Sequence, residues 1–189
     1  MRTIIVGLLM LFSVNAFATE NPQNCTYWLP LFQPFCHRLH QIWNEGNTDL
    51  FFSGYAWHNR YTYSQKRLRR KRYNEWAWGG GLGKGLVDEK GNWHGLFAFA
   101  FLDSHKNVEP VIGYAHLYLA SLNKDFKVGL GYSILVTARP DIFYNIPFPG
   151  AVPWAGIFIK NVSVKAAYIP GTSKNGNVLY VIGTYSFDN

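Results

Sequence analysis

From Leu50 onward, apolar side chains recur at every second position, and this alternation limits the folds that the chain can adopt. In the stretch 126–138, bulky apolar residues occupy one face and mostly small residues occupy the other. The bulky face carries Val128, Leu130, Tyr132, Ile134 and Val136. A period of two is the pattern of a β-strand whose two faces meet different surroundings. The alternation therefore predicts an all-β protein.

The alternating stretches predict eight strands, each near the ~9–11 residues that cross a bilayer as a tilted strand. They cover residues 50–63, 76–87, 92–103, 108–121, 126–138, 150–160, 162–169 and 177–187. The connections alternate between longer ones, such as 64–75 and 139–149, and tight ones, such as Lys160-Asn161. Outer-membrane barrels have short periplasmic turns and longer outer loops. We therefore predict an eight-stranded antiparallel transmembrane β-barrel.

The N-terminus has the pattern of a secretory signal peptide. Arg2 precedes an apolar run at 4–12, and Ala16 and Ala18 form a small-x-small cleavage site. An uncleaved anchor is the alternative, but spanning a bilayer takes about 20 apolar residues. We expect a signal peptide at 1–18, a periplasmic segment at 19–48 and the barrel at 49–189.

The periplasmic segment contains a predicted amphipathic helix at 31–44, with Pro34 in its first turn and Gly46 as its stop. Such a helix can lie at a membrane interface and clamp the barrel. An exported compartment permits a disulfide between Cys25 and Cys36, and the sequence leaves open whether it forms.

The net charge of +7 is concentrated in one basic run. The run consists of Lys66, Arg67, Arg69, Arg70, Lys71 and Arg72. It is either a solvated loop or the site of an anionic partner. For an exported chain an anionic glycolipid fits better than nucleic acid. His37 and His40 lack a carboxylate or thiolate partner, so we expect neither a metal nor a cofactor.

Polar residues at the predicted outer ends of strands offer candidate chemistry. His58 follows the first apolar stretch, while Asp103 and Ser104 close the third and precede His105. A histidine, a carboxylate and a hydroxyl can serve as a general base, an orienting group and a proton-bearing or nucleophilic group. Adjacent residues of a strand point to opposite faces, so Asp103 and Ser104 converge only if the chain bends there.

The interior of an eight-stranded barrel holds packed side chains or one small ligand. In 108–121, small and medium apolar residues share one face, and Tyr114 and Tyr118 share the other. If the tyrosines point outward, the interior is narrow and apolar, which suits a hydrocarbon chain. A barrel that is simply filled by its own side chains is the alternative.

Several segments together resemble the lipid A palmitoyltransferase family over roughly residues 43–187. They are Trp57-His58, 72–75 with 78–81, 88–96, 101–104, Glu109-Pro110, 136–139, Ile146-Pro147 and 168–172 with 175–178. The resemblance implies an outer-membrane barrel that moves palmitate, or a chain of similar length, from the sn-1 position of a glycerophospholipid to a hydroxyacyl chain of lipid A. It implies that the essential residues are His58, Asp103 and Ser104, at the external face.

The resemblance also implies an acyl-measuring pocket around Gly113 and Ala115. The family has a glycine where this chain has Ala115. A buried methyl group takes about the space of one methylene, and discrimination of that size is worth about 1–3 kcal/mol. We therefore expect a slightly shortened or relaxed acyl preference.

Lateral passages for lipid are a further implication, because proline removes a donor from the strand ladder. Pro153 and Pro170 match one passage of the family. At the other, Ser53 and Ala77 stand where the resemblance leads us to expect prolines, so this passage is absent or built differently.

Two other functions are compatible with the sequence. A small outer-membrane barrel that anchors or binds lipid or lipopolysaccharide without catalysis has the same strand pattern. A soluble lipocalin-like carrier has the opposite orientation of its apolar faces. For the enzyme we expect a monomer whose partners are a phospholipid donor, lipid A and the membrane.

Overall fold

The structure is a computed structural model that describes residues 25–64, 66, 70, 73–171 and 176–188. A 3₁₀ turn at Pro30–Phe32 leads into helix α1 (Gln33–Glu45). Eight strands follow: β1 (Asn47–His58), β2 (Gly79–Val87), β3 (Trp93–Leu102), β4 (Val108–Ser121), β5 (Phe126–Thr137), β6 (Phe148–Ile159), β7 (Val162–Ile169) and β8 (Val178–Phe187). The predicted signal peptide at 1–18 lies outside the described residues.

The strands form a closed antiparallel barrel in which each pairs with its neighbour in sequence and β8 pairs with β1. Hydrocarbon offers no partner for a backbone N–H or C=O, so a sheet that crosses a membrane must close on itself. The predicted eight-stranded barrel is confirmed.

The predicted end of the first strand was wrong. The alternation suggested 50–63, but β1 runs from Asn47 to His58. Asn59 ends it, because its backbone carbonyl accepts from the amides of Thr62 and Tyr63, and its side chain accepts from the amide of Tyr61. These contacts form a turn that alternation alone does not show. The second strand likewise begins at Gly79 rather than at 76.

The bulky face of β5 points outward, as predicted. Leu130 is 70% exposed and Ile134 is 45% exposed, whereas Ser133 between them is buried. Trp76 and Trp78 stack on each other, exposed, near the outer end of β1. An apolar band flanked by aromatic side chains is the lipid-facing surface of a membrane barrel.

The interior is apolar but more aromatic than β4 alone suggested. On β4 the inward face is small, with Gly113 and Ala115, as predicted. The facing walls contribute large rings: the buried aromatic side chains inside the barrel are Phe51, Trp93, Phe97, Phe99, Phe101, Trp154 and Tyr180. The lumen is therefore filled over part of its length.

A buried polar cluster lies in the half of the lumen nearer the turn between β6 and β7. Lys165 is 1% exposed, and its ammonium donates to the hydroxyls of Ser163 (2.8 Å) and Thr184 (3.0 Å). The same Nζ lies 4.4 Å from the centroid of the Trp93 ring. A buried ammonium needs such partners, because burial without hydrogen bonds carries a large free-energy penalty.

Helix α1 packs on the outside of the barrel beside the turn between β2 and β3. Phe35 contacts the ring of Tyr114 edge-on, with 5.1 Å between centroids. The helix is linked to the preceding segment by a disulfide between Cys25 and Cys36, which settles what the sequence left open. In the described part of the chain no helix has the length and apolarity to cross a membrane.

The turn after β2 is fixed by Asp88. Its Oδ1 accepts from the amides of Lys90 (3.0 Å) and Asn92 (2.8 Å), and its Oδ2 lies 3.0 Å from Nε2 of His94. Arg38 of α1 lies 3.6 Å from Oδ2. Burial opposes ionisation, but the hydrogen bonds outweigh it and lower the pKa of Asp88 to about 2.

We expect Asp88→Asn to lower the free energy of unfolding at neutral pH, with an effect that fades in acid. Because the folded-state pKa lies below the unfolded value of about 3.9, the carboxylate stabilises the fold above about pH 4. That contribution is lost as the pH falls toward about 2. Denaturant titrations in detergent across this pH range measure the difference between variant and wild type. Asp125→Asn is the control, because Asp125 is exposed and lies 4.0 Å from Lys160. A difference that stays constant down to pH 2 contradicts the assignment.

Candidate active site

The rim that carries the longer loops, named the outer rim, brings His58 and Ser104 together. His58 ends β1 and is buried, and its Nε2 lies 3.0 Å from Oγ of Ser104. Tyr73 stacks on the imidazole at 5.3 Å, and Tyr63 contacts it edge-on at 5.1 Å. The imidazole is therefore held in one orientation, with one ring nitrogen directed at a hydroxyl.

Glu75 holds the other ring nitrogen. Its Oε1 lies 3.2 Å from Nδ1 of His58 and accepts from the His58 backbone N–H at 3.0 Å. Arg60 donates to Oε2 at 2.7 Å. Burial raises the pKa of Glu75, but the hydrogen bonds from Arg60 and His58 outweigh it and leave the pKa below its usual range. A carboxylate only accepts, so Nδ1 carries the proton and Nε2 is left to accept from Ser104.

Asp103 shapes the turn that presents Ser104. Strand β3 ends at Leu102, and the Asp103 carboxylate accepts from the backbone amides of His105 (2.7 Å) and Asn107 (2.8 Å). The chain thus bends at the strand end, but the two side chains do not point to the same partner. Ser104 reaches His58, while the Asp103 carboxylate bonds within the turn.

Arg139 stands across the rim from this turn. It makes a two-fold hydrogen bond to Asp141, lies 3.6 Å from Glu109 and lies 4.0 Å from Asp103. These contacts keep the pKa of Arg139 above its ordinary value, although burial opposes this. The rim therefore carries a fixed positive charge that is close to three acidic side chains.

Two cavities adjoin at the rim. The outer one, of about 340 Å³, is lined by His58, Asp103 and Ser104 among others. The inner one, of about 260 Å³, extends into the lumen. Phe101, Tyr180 and Arg139 line both, so the site chemistry stands directly above an apolar chamber.

The predicted acyl-pocket residues do not line this chamber. Its walls are formed by Phe97, Phe99, Val111, Leu135, Val152, Trp154, Ala167 and Ile182. Ala115 is completely buried and Gly113 packs against the Phe97 ring. Both face inward but contact other side chains.

The backbone hydrogen bonds between β6 and β7 do not extend to the outer rim. Their last pair toward the outer rim is Trp154 with Ala167, although β6 extends to Phe148. Pro153 begins the unpaired part of β6, and Pro170 follows β7. The inner chamber is lined there by Ala151, an exposed residue of the outer face. The chamber thus reaches the lipid-facing surface beside the two predicted prolines.

The seam between β1 and β2 is built differently. Strand pairing stops at Ser53 and Gly79. The Ser53 hydroxyl donates to the carbonyl of Ala77 at 2.7 Å, and the amide of Ala56 donates to the carbonyl of Glu75 at 2.9 Å. Where the resemblance led us to expect prolines, hydrogen bonds therefore bridge the seam.

The basic run is described only in part. Lys66 and Arg70 are exposed, and the predicted phosphate contacts at Arg67, Arg69, Lys71 and Arg72 lie outside the described residues. Within the described part, Cys25, Cys36 and His40 form a group with metal-binding spacing. Both sulfurs belong to the disulfide, so this group offers no thiolate.

Sequence reasoning assigned no role to Glu75 or Arg139, although both lie in the segments of the resemblance. A signal for Glu75 was available: it is the one acidic residue between β1 and β2, in a loop rich in bases. Arg139 follows the fifth strand directly. Asp141 is its neighbour in sequence, but Asp103 and Glu109 belong to the region that connects β3 to β4, which the sequence alone does not bring to Arg139.

Comparison with known proteins identifies the family. The family model for the antimicrobial peptide resistance and lipid A acylation protein PagP matches residues 38–184. A lipid A acyltransferase PagP of Legionella longbeachae is 62% identical, over 99% of this chain and 97% of the relative. One from Legionella pneumophila is 55% identical, over 98% and 100%. One from Bordetella pertussis is 45% identical, over 86% and 88%. The chain therefore belongs to the PagP family.

Proposed function

We propose that this chain is a lipid A acyltransferase of the bacterial outer membrane. It moves a palmitoyl chain, or one of similar length, from the sn-1 position of a glycerophospholipid to a hydroxyacyl chain of lipid A at the external face. The observation that carries the proposal is His58, held between an ionised carboxylate and a hydroxyl directly above an apolar chamber. The relatives' name supports it.

The reaction exchanges one ester for another. The lipid A hydroxyl attacks the donor carbonyl carbon, and its proton passes to Nε2 of His58, the nitrogen free to accept. The new C–O bond forms, the bond to the glycerol oxygen breaks, and His58 returns the proton to that oxygen as the lysophospholipid leaves. Glu75 keeps the imidazole in the required tautomer and stabilises its charged form.

Ser104 and Asp103 have supporting roles in this scheme. Ser104 donates to Nε2 in the resting site. When the acceptor hydroxyl takes its place, the Ser104 hydroxyl turns to the oxyanion that develops on the donor carbonyl. Asp103 positions Ser104 through the turn that its carboxylate holds.

The donor reaches the chamber sideways. Between Pro153 and Pro170 the ladder is absent and the chamber meets the lipid-facing surface. A phospholipid can insert one acyl chain there while its headgroup stays at the rim. The basic run, represented by the exposed Lys66 and Arg70, pairs with lipid A phosphates, because guanidinium and ammonium groups bind phosphate strongly. The protein acts as a monomer without a metal or cofactor.

We expect cells that lack the activity to gain one acyl chain on lipid A when they express this chain, as read by mass spectrometry. His58→Asn should lower transfer by roughly 10²- to 10⁴-fold, because the general base is lost. His37→Asn, on the exposed face of α1, should transfer normally. If cells that express the unmutated chain add nothing to their lipid A, the non-catalytic lipid-binding barrel is favoured instead.

Ser104→Ala should slow transfer by roughly 10²- to 10³-fold without abolishing it, as expected for loss of one oxyanion donor. Rates with purified protein in detergent measure this. Intact-protein mass spectrometry with donor but no acceptor is the decisive companion experiment. An acyl adduct on Ser104 would contradict direct transfer and make Ser104 a nucleophile.

Glu75→Gln should lower kcat by roughly 10²-fold with little change in KM, because the amide allows the wrong imidazole tautomer. Glu75→Asp, which keeps the charge, should recover part of the rate. Glu89→Gln is the control, because Glu89 is an exposed acid of the opposite rim. Equal rates for Glu75→Gln and wild type would remove Glu75 from the mechanism.

A further inference from the structure

An apolar groove of about 710 Å³ runs along the outer face of β4, β5 and β6 and ends at helix α1. Its outward-pointing strand residues belong to the lipid-facing band, and in the described part of the chain no charged residue is among its lining residues. The strands contribute Ile112, Ile134, Val136 and Ala151, among others, and α1 contributes Phe35 and Leu39. The groove is therefore a furrow in the lipid-facing surface, with one side formed by the helix.

The groove and the inner chamber lie back to back on one wall. Leu135, Gly150 and Ala151 line both spaces. Leu135 and Gly150 pair with each other across the β5–β6 ladder, so they belong to the wall between the groove and the chamber. This wall is a single layer of strands, and at Gly150 it carries no side chain. Two hydrocarbon chains can therefore lie close to each other on its opposite faces.

The opening between β6 and β7 connects the two spaces. Ala151 belongs to the stretch of β6 beyond its last pair with β7, which is Trp154 with Ala167. Ile134 of the groove pairs with Ala151 across β5–β6, so the groove begins at the edge of the opening. A molecule with two hydrocarbon arms can place one arm in the chamber and the other in the groove, with their junction at the opening.

The groove starts just beneath the outer rim, as the chamber does. Val136 and Pro149 line it in the row next to the outermost pair of the β5–β6 ladder. Its other end lies at α1, where Phe35 contacts the ring of Tyr114. The helix is held there by contacts with the turn between β2 and β3. Both ends of the groove are thus fixed by the fold.

We propose that this groove binds the sn-2 acyl chain of the phospholipid donor while the sn-1 chain occupies the inner chamber. The inference rests on the proposed function and adds to it a subsite on the outer face of the barrel. The two chains of a glycerophospholipid are joined at adjacent glycerol carbons, so a chain that enters the barrel leaves its partner at the opening. Because the surrounding lipid is as apolar as the groove, the groove contributes space and position rather than hydrophobic free energy.

The test blocks the groove from outside and varies the donor. Ile112→Trp and Ile134→Trp each place a larger ring in the groove. With dipalmitoylphosphatidylcholine as the donor, each should lower kcat/KM by roughly 5- to 150-fold, the range that corresponds to overpacking of one site. With a lysophosphatidylcholine that carries palmitate at sn-1 and a free hydroxyl at sn-2, each should match wild type. Transfer to lipid A by purified protein in detergent micelles gives both rates.

Leu82→Trp is the matched control. Leu82 pairs with Ala98, and Ala98 pairs with Ile112, so Leu82 and Ile112 occupy one row of the ladder on the outer face. Leu82 is 59% exposed and Ile112 is 61% exposed. Leu82 lies on β2, two strands from β4, and should tolerate the ring with wild-type rates for both donors.

The outcomes separate this inference from the function beneath it. No transfer by wild type from either donor contradicts the proposed function. If wild type transfers and both groove variants match it with the two-chain donor, the groove is overturned. An equal loss with the lysophospholipid, or in Leu82→Trp, shows a general effect of the added ring and also overturns it.

A measurement on wild type covers the case in which the added rings prevent folding. A donor with an ether in place of the sn-1 ester cannot be transferred, and a diazirine along its sn-2 chain labels on illumination the residues that the chain touches. Labelled peptides should come from α1 and from β4, β5 and β6. Labels spread evenly over the outer face, including β1, β2 and β8, overturn the proposal.

Discussion

The closed hydrogen-bond ladder is the constraint on which the other features depend. In lipid every backbone donor and acceptor must be satisfied within the protein, so a departure from the ladder is costly unless something replaces it. This chain departs at two seams near the outer rim. At one, prolines reduce the number of donors that need a partner. At the other, Ser53 and the loop before β2 supply hydrogen bonds in place of strand pairing. The seam between β6 and β7 is therefore left without strand hydrogen bonds near the rim, whereas the seam between β1 and β2 is bridged by other hydrogen bonds.

The narrow lumen has a graded interior. At the rim, His58, Glu75 and Arg139 belong to a charged and hydrogen-bonded layer. Below it lies an apolar chamber walled by aromatic rings, and below that the stack of Phe97 on Trp154. The buried ammonium of Lys165 lies deepest. The proposed chemistry belongs to the rim, where His58 and Ser104 adjoin the outer cavity, and the apolar layer beneath suits a hydrocarbon chain.

Periodicity predicted those parts of the fold in which one face differs from the other along a whole strand. The bounds of β4 and β7 agree with the predicted ones, and helix α1 begins and ends within two residues of its prediction. The end of β1 could not be read, because the Asn59 turn depends on local hydrogen bonds rather than on alternation. Of the predicted site, His58 and Ser104 come together. Glu75 was missed because its partner is separated from it by a loop.

Pocket depth was the least predictable property, because it depends on side chains that meet across the barrel. Phe97 and Trp154 belong to strands that are not neighbours, and no sequence pattern predicts that their rings are in contact. Ala115 stands out in the sequence because the resemblance leads one to expect a glycine there, but Ala115 does not line the inner chamber. The depth of the chamber is therefore a tertiary property of this barrel.

The most direct measurement is a crystal structure of the protein grown in a detergent with a long, unbranched alkyl chain. The account predicts one alkyl chain inside the barrel, running from beneath His58 and Ser104 past Tyr180 into the chamber that Phe99 and Trp154 help to line. Ordered water filling the chamber, or alkyl chains found only on the outer surface, would contradict it.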